Sequence, residues 1–194
     1  SDTIMNIAKN PKIDESKILE SLEIQNNNFA LLTFHRPSNV DSKEGLLKLV
    51  ELITILSKNH KVVFPIHPRT IRCLKSNDLY KDIEGKKQVI LTEPMGYFEF
   101  QKLVKCCRFV ITDSGGIQEE TTFRKVPCIT VRPNTERPVT VSIGSNTLVD
   151  FNISKINAIV SEIEMGKYKI SKIPKLWDGN ATKRIVEKIN EILL

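Results

Sequence analysis

Aromatic residues make up only 6% of the chain, with a single tryptophan. Proteins that stack single-stranded bases interleave aromatic and basic side chains, and no such interleaving is present. The basic residues are scattered, so a net charge of +6 is not laid out as a nucleic-acid footprint. Cysteine is also sparse. Cys73, Cys106, Cys107 and Cys128 match no zinc spacing, and an adjacent pair does not suggest a disulfide scaffold. They read as buried free thiols of a reducing cytosol. No run of 18 or more apolar residues exists, so no membrane span is expected. No signal peptide opens the chain, and its abrupt polar start reads as a cut inside a longer protein. Internal repeats and low-complexity segments are lacking as well.

What is present is ordinary globular composition: 194 residues, 40% hydrophobic and 27% charged. A modest basic balance suits an anionic small molecule such as a nucleotide. Short apolar runs alternate with helical patterns. Strands are expected at Phe29–Phe34, Lys61–Ile66, Gln88–Leu91, Arg108–Ile111, Val126–Val131 and Asn146–Val149. Between them lie helices over Asp41–Leu56, Ile71–Lys75, Tyr97–Cys106 and Ile117–Arg124. Two short helices, Ser1–Asn10 and Asp14–Leu22, precede the first strand, and Ile153–Glu164 and Ala181–Leu194 close the chain. Gly166–Gly179 reads as a surface loop. Apolar strands alternating with helices give an α/β, Rossmann-like doubly wound parallel sheet with helices on both faces.

In such sheets ligands bind beyond the C-terminal ends of the strands. Five strands here end in chemically capable loops: His35-Arg36, His67-Pro68-Arg69, Glu93-Pro94, Asp113-Ser114-Gly115-Gly116 and Glu136-Arg137-Pro138. If the strands are parallel, all five face one rim. Ser114-Gly115-Gly116 lets the backbone turn tightly and lets a ligand approach main-chain N–H groups at a helix start, which suits a phosphate. The alternative is a plain strand-to-helix turn with Ser114 or Asp113 as N-cap. Glu119 and Glu120 either favour the first turn of their helix through its dipole or accept from a ribose diol. Arg137 either braces a loop or gives a fork of donors to a diphosphate. His35 either bonds a loop carbonyl or serves the rim. Arg36 is a surface ion-pair partner or a ligand contact. His67, in its Pro-x-His-Pro turn, reads as structural.

Taken together, His35-Arg36 with Asn39, Pro65-Ile66-His67-Pro68, Glu93-Pro94, Thr112 to Glu120 and Asn134-Thr135-Glu136-Arg137-Pro138 resemble the non-hydrolysing UDP-N-acetylglucosamine 2-epimerases. Asp178-Gly179-Asn180-Ala181 with Arg184-Ile185 resembles that family's closing motif. The resemblance implies one half of a two-domain GT-B-type architecture, with UDP-sugar held between the halves. Residues 1–25 would be connecting helices from an N-terminal half that this sequence lacks. Residues 26–179 would be the UDP-binding domain, and residues 180–194 the closing helix. Ser114 and the Gly115 and Gly116 backbone would meet the diphosphate. Glu120 would take the ribose hydroxyls, and Arg137 would lie near the phosphates or the sugar. His35, the catalytic candidate, and Arg36 would lie on the diphosphate and sugar side. Phe100 and, nearby, Arg69 would serve the uracil pocket.

The implied reaction interconverts UDP-N-acetylglucosamine and UDP-N-acetylmannosamine by eliminating UDP and adding it back, for cell-surface polysaccharide. It implies no cofactor or metal, a cytoplasmic homodimer at full length, and no nucleic-acid or membrane partner. The acid/base carboxylates would lie in the missing half, so this chain alone would bind UDP weakly without epimerising. A hydrolysing epimerase, a GT-B-type glycosyltransferase and a stand-alone nucleotide-binding module are the alternatives. The sequence departs from the family pattern at Gly96, where Asp commonly precedes the Tyr, at Pro37-Ser38, where bacterial members carry Arg-Glu, and at Val139, where many carry Glu.

Overall fold

The structure, a computed structural model, describes residues 2–193. Six parallel strands form one sheet: β1 (Phe29–Thr33), β2 (Lys61–Pro65), β3 (Val89–Thr92), β4 (Phe109–Thr112), β5 (Cys128–Val131) and β6 (Asn146–Val149). The helices before β1 are α1 (Asp2–Ala8), α2 (Pro11–Glu15) and α3 (Ile18–Ser21). Crossing between strands are α4 (Pro37–Val40), α5 (Lys43–Leu56), α6 (Pro68–Ser76), α7 (Lys81–Glu84), α8 (Tyr97–Cys106), α9 (Gly115–Arg124) and α10 (Pro138–Ser142). The chain closes with α11 (Ile153–Glu164) and α12 (Ala181–Leu193). Ser1 and Leu194, included in the expected terminal helices, lie outside the described residues.

The apolar strands explain the layering. Successive side chains of a strand point to opposite faces, so a continuous apolar run feeds two cores. Ala30 and Leu32 join Val62, Phe64, Phe109 and Ile111 against Leu49, Leu52 and Ile53 of α5 and Ile156 of α11. Phe29 and Leu31 join Val63 and Val110 on the other face, against Leu103 and Val104 of α8 and Ile117 of α9. Each buried Val, Leu, Ile or Phe among these stabilises the fold by about 1.5–3 kcal/mol relative to exposure.

The strand order is β3-β2-β1-β4-β5-β6. The chain therefore reverses its direction of travel across the sheet between β1 and β4, and a crevice opens at that switch point. Register brings the loops together there. Thr33 pairs with Thr112, and Thr112 with Thr130. The Thr33 and Thr112 hydroxyls lie 2.6 Å apart, buried.

Two helix expectations need correction. Asp14–Leu22 is not one helix. Asn10 caps α2 through a bond from the Lys12 amide, Pro11 starts it, and Ser16 turns extended, so α3 begins anew at Ile18. Likewise α6 runs from Pro68, not Ile71, because His67 is its N-cap and Pro68 suits the first helical position.

Candidate active site

The β4–α9 segment organises the crevice. The sequence suggests a tight glycine turn here, and the structure corrects it. Gly115 and Gly116 are the first residues of α9, and neither has a positive φ. The glycines are therefore not needed for a turn. A Cβ at Gly116 would meet nothing within 4 Å, and one at Gly115 would meet only Arg132 Nη1 at 3.7 Å and Glu136 Oε2 at 3.8 Å. Ser114 is the N-cap residue in extended conformation, but its hydroxyl caps nothing. The first amides of a helix have no intrahelical partner. Here no side chain caps them, and the positive end of the helix dipole lies behind them.

Asp113, fully buried, ties this segment to the β1 loop. Its Oδ2 accepts from the Arg36 amide at 2.8 Å, the His35 amide at 3.1 Å and Asn39 Nδ2 at 3.2 Å. His35 Nδ1 stands 3.1 Å from Oδ1. Arg36 Nε returns a bond to the Asp113 carbonyl at 2.8 Å. Burial alone would raise the Asp113 pKa. The donors from His35 and Arg36 outweigh it and hold the carboxyl below its ordinary value. His35 is thereby fixed with its imidazole part-exposed over the crevice, 5.9 Å from the His67 ring.

The loop after β5 is pinned from below. Gln118 Oε1 accepts from Thr135 Oγ1 at 2.6 Å and from Asn146 Nδ2 at 3.0 Å, while Asn146 Oδ1 accepts from Thr130 Oγ1 at 2.6 Å. Thr135 Oγ1 in turn accepts from the Arg137 amide at 3.0 Å. Gly144 is needed here: a Cβ would lie 2.4 Å from Thr122 Oγ1. Arg137 Nε stands 2.8 Å from Glu119 Oε2, with its N–H off the hydrogen-bonding direction. Arg132, buried, grips Glu136 with two bonds of 2.9 and 2.7 Å and, with the Glu136 amide, holds that carboxyl down to about 2.

Glu120 stands in contrast. It accepts one bond, from Tyr97 Oη to Oε1 at 3.3 Å, and its buried Oε2 has no partner. Burial dominates and raises its pKa, and the nearby charge of Glu119 adds to this. Tyr97 is pushed up to about 12 by burial and by the Glu120 charge.

Beside His35 and Ser114 lies a cleft of about 210 Å³, lined by Thr33, His35, His67, Pro94, Met95, Phe100, Ser114 and Ile117 among others. A larger hollow of about 410 Å³ sits by Lys75, Tyr80 and Lys81, but no strand end opens into it. The structure thus brings His35, Phe100 and Ser114 to one cleft. Arg36, Arg69, Gly115, Gly116, Glu120 and Arg137 are not among the residues that line it. Arg69 pairs with Asp41 through Nε at 2.8 Å and Nη2 at 2.5 Å and does not line the cleft. Asp41, expected to help start a helix, serves this pair instead, and Ser42 alone caps α5.

Residues 2–190 match the UDP-N-acetylglucosamine 2-epimerase family. The chain belongs to that family. It is 40% identical over 188 residues to the UDP-N-acetylglucosamine 2-epimerase of Methanocaldococcus jannaschii, covering 95% of this chain and 50% of that protein. The crystal structure of the M. jannaschii enzyme in complex with UDP-GlcNAc and UDP superposes with a TM-score of 0.78 at 37% identity, over 97% of this chain and 51% of that one. The Neisseria meningitidis enzyme bound to UDP-GlcNAc gives a TM-score of 0.80 at 27% identity, over 98% of this chain and 53% of that one. The chain thus spans about half the length of the curated relatives it matches, and the half it represents is the C-terminal one. The two-sided parallel sheet is one Rossmann-like unit of the GT-B-type epimerase architecture.

Sequence reasoning assigned no role to Asn39, Tyr97, Gln101, Gln118, Arg124 or Asn146. Tyr97 with Gln101, and Glu120 with Arg124, are each four apart on a helix, which puts each pair on one face. That spacing was the available signal. Nothing in the sequence pairs the two helices.

Proposed function

We propose that this chain is the UDP-holding half of an epimerase that interconverts UDP-N-acetylglucosamine and UDP-N-acetylmannosamine by eliminating UDP and adding it back. The observation that carries the reading is a pair of unmet demands on one segment. The amides at the start of α9 have no capping side chain, and Glu120 Oε2 is buried with no donor. A nucleoside diphosphate supplies an acceptor for the first and hydroxyl donors for the second. The M. jannaschii relative is described in complex with UDP-GlcNAc and UDP, which supports the same ligand class here.

In this reading the diphosphate meets the Ser114 hydroxyl and the Gly115 and Gly116 amides. Negative charge that develops as the C1–O bond breaks is stabilised by amides and a helix dipole already in position, so little reorganisation is needed at the moment of reaction. Arg137 leaves its contact with Glu119 to join them. His35, its Nδ1 beside Asp113, turns Nε2 toward the leaving group and can lend or take a proton there. Phe100 offers its ring to the base. Ribose hydroxyls donate to Glu120.

The elimination also needs a base for the C2 proton, and the rim offers no uncommitted carboxylate in the cleft. Asp113 is saturated with donors and Glu136 is held by Arg132, while Glu120 is taken by the ribose and neither Glu119 nor Glu93 lines the cleft. The base is therefore assigned to the other half of the full protein. No helix among the described residues is long and apolar enough to cross a membrane. A reducing compartment such as the cytoplasm suits the four free thiols.

Incubating the chain with UDP-N-acetylglucosamine in deuterated water tests this division of labour. The expected result is ligand binding with no deuterium at C2 and no release of UDP. Deuterium at C2 would show that the chain carries its own base and would refute the division.

A further inference from the structure

Where α8 crosses α9, two residue pairs face each other. Tyr97 and Gln101 come from α8, and Glu120 and Arg124 from α9. Gln101 is 2% exposed. Its Oε1 accepts from Arg124 Nε at 3.2 Å and from Arg124 Nη2 at 3.1 Å. This double donation fixes which way the amide points, because a flipped amide would set its NH₂ against the guanidinium. The Nε2 group is left buried with no acceptor bonded to it. Tyr97 and Gln101 stand one turn apart on α8, and Glu120 and Arg124 one turn apart on α9, so the Tyr97–Glu120 and Gln101–Arg124 contacts set the Gln101 amide alongside the Glu120 carboxyl. So an unsatisfied donor and an unsatisfied acceptor, Gln101 Nε2 and Glu120 Oε2, are both buried where α8 crosses α9. Arg124 itself is part-buried, and the Glu120 and Asp14 carboxylates offset the cost of burying its charge.

We propose that Gln101, oriented by Arg124, is the positioning residue for Glu120, closing on its carboxylate when a vicinal diol docks so that both oxygens remain acceptors aimed at the two hydroxyls. This rests on the reading of Glu120 as the ribose-binding group. The physical need is plain. A diol is gripped by accepting from both hydroxyls, which an ionised carboxylate does and a protonated carboxyl does not. Glu120 sits where burial and Glu119 favour the protonated form, against Tyr97, Gln101 and Arg124. Arg124 reaches Glu120 only as a distant charge, and Tyr97 occupies Oε1. Gln101 is the neutral donor left for the carboxylate, and Arg124 keeps it from turning away.

The test uses Gln101→Met, which keeps the volume, and Gln101→Glu, which keeps a contact to Arg124 but removes the donor. Two readouts are taken on each: the carboxyl titration of Glu120 in the ligand-free protein by NMR, and calorimetric affinities for UDP and 2′-deoxy-UDP. Both variants are expected to titrate Glu120 at higher pH than the wild type. They should lose about tenfold or more in UDP affinity, as expected for one charge-assisted hydrogen bond. Affinity for 2′-deoxy-UDP should change little, so the preference for UDP collapses. A mere packing defect would weaken both nucleotides alike and leave the titration in place, which would overturn the proposal. So would an unchanged titration and an unchanged preference. If the wild type binds neither nucleotide while the Glu120 titration still moves in both variants, the ribose reading fails and the Gln101–Glu120 coupling stands.

Discussion

Asp113 and Glu120 lie seven residues apart on one strand-to-helix segment, and both carry mostly or fully buried carboxyls. Their surroundings could hardly differ more. Asp113 collects donors from the His35 and Arg36 amides and from Asn39, with the His35 imidazole alongside. Glu120 has one long bond from Tyr97 and a bare oxygen. A buried polar atom without a partner costs on the order of 1–3 kcal/mol, and more for a charged group. A satisfied carboxylate is architecture: it locks two loops at the switch point of the sheet. A starved one is kept at a standing cost to stability, and a ligand is the natural source of the missing donors.

The sharpest way to break this contrast is to remove Asp113. Asp113→Ala strands two backbone amides and the Asn39 amide in the interior, and is expected to lower stability by about 3 kcal/mol or more in denaturant melts. Glu120→Gln should do the reverse to the fold, leaving the melting midpoint unchanged or slightly higher, while UDP affinity falls at least about tenfold. Arg137→Ala should also weaken UDP by about tenfold with little change in stability, because its present contact with Glu119 is part-exposed.

The pH dependence of the two carboxyls runs in opposite senses. The folded pKa of Asp113 is lowered, so its stabilisation is complete above the unfolded value of about 4 and is lost as pH falls through the folded value. Glu120 is raised, so its penalty is absent below about pH 4, grows as pH rises toward its folded pKa, and is constant above. Melts of Glu120→Gln against wild type should therefore diverge as pH rises across that window, in favour of the variant. The smallest effect is at Gly116→Ala. With ordinary φ and open space, alanine should hold or raise helix stability by up to about 1 kcal/mol. Its methyl group would occupy the approach of a phosphate, so UDP binding should weaken while the fold does not.

Much of the architecture was readable from residue order. Phe29–Phe34 and Lys61–Ile66 are apolar on both alternating sets, which only a sheet covered on two faces can bury. The polar strand ends followed from that, and parallel register places them on one rim. What could not be read depended on distant partners. Arg69 was expected near the uracil pocket, and nothing in the sequence showed that Asp41, from another loop, would pair with it. Gly115 and Gly116 looked like a turn because glycine permits one. The turn is made by Ser114 instead, and the glycines matter for the space they leave. Gln101 carried no role in the sequence. Only the packing of α8 on α9 shows it facing Arg124 and Glu120.

The central claim is that the β4–α9 segment is a nucleotide site left open by its own unmet hydrogen bonds. Calorimetric titration of UDP into the wild-type chain and into Glu120→Gln, at pH 7.5 with matched melting curves, tests it most directly. The account predicts binding by the wild type and at least a tenfold loss in a variant as stable as its parent. Equal affinity in the two proteins, or no binding by the wild type, would contradict it.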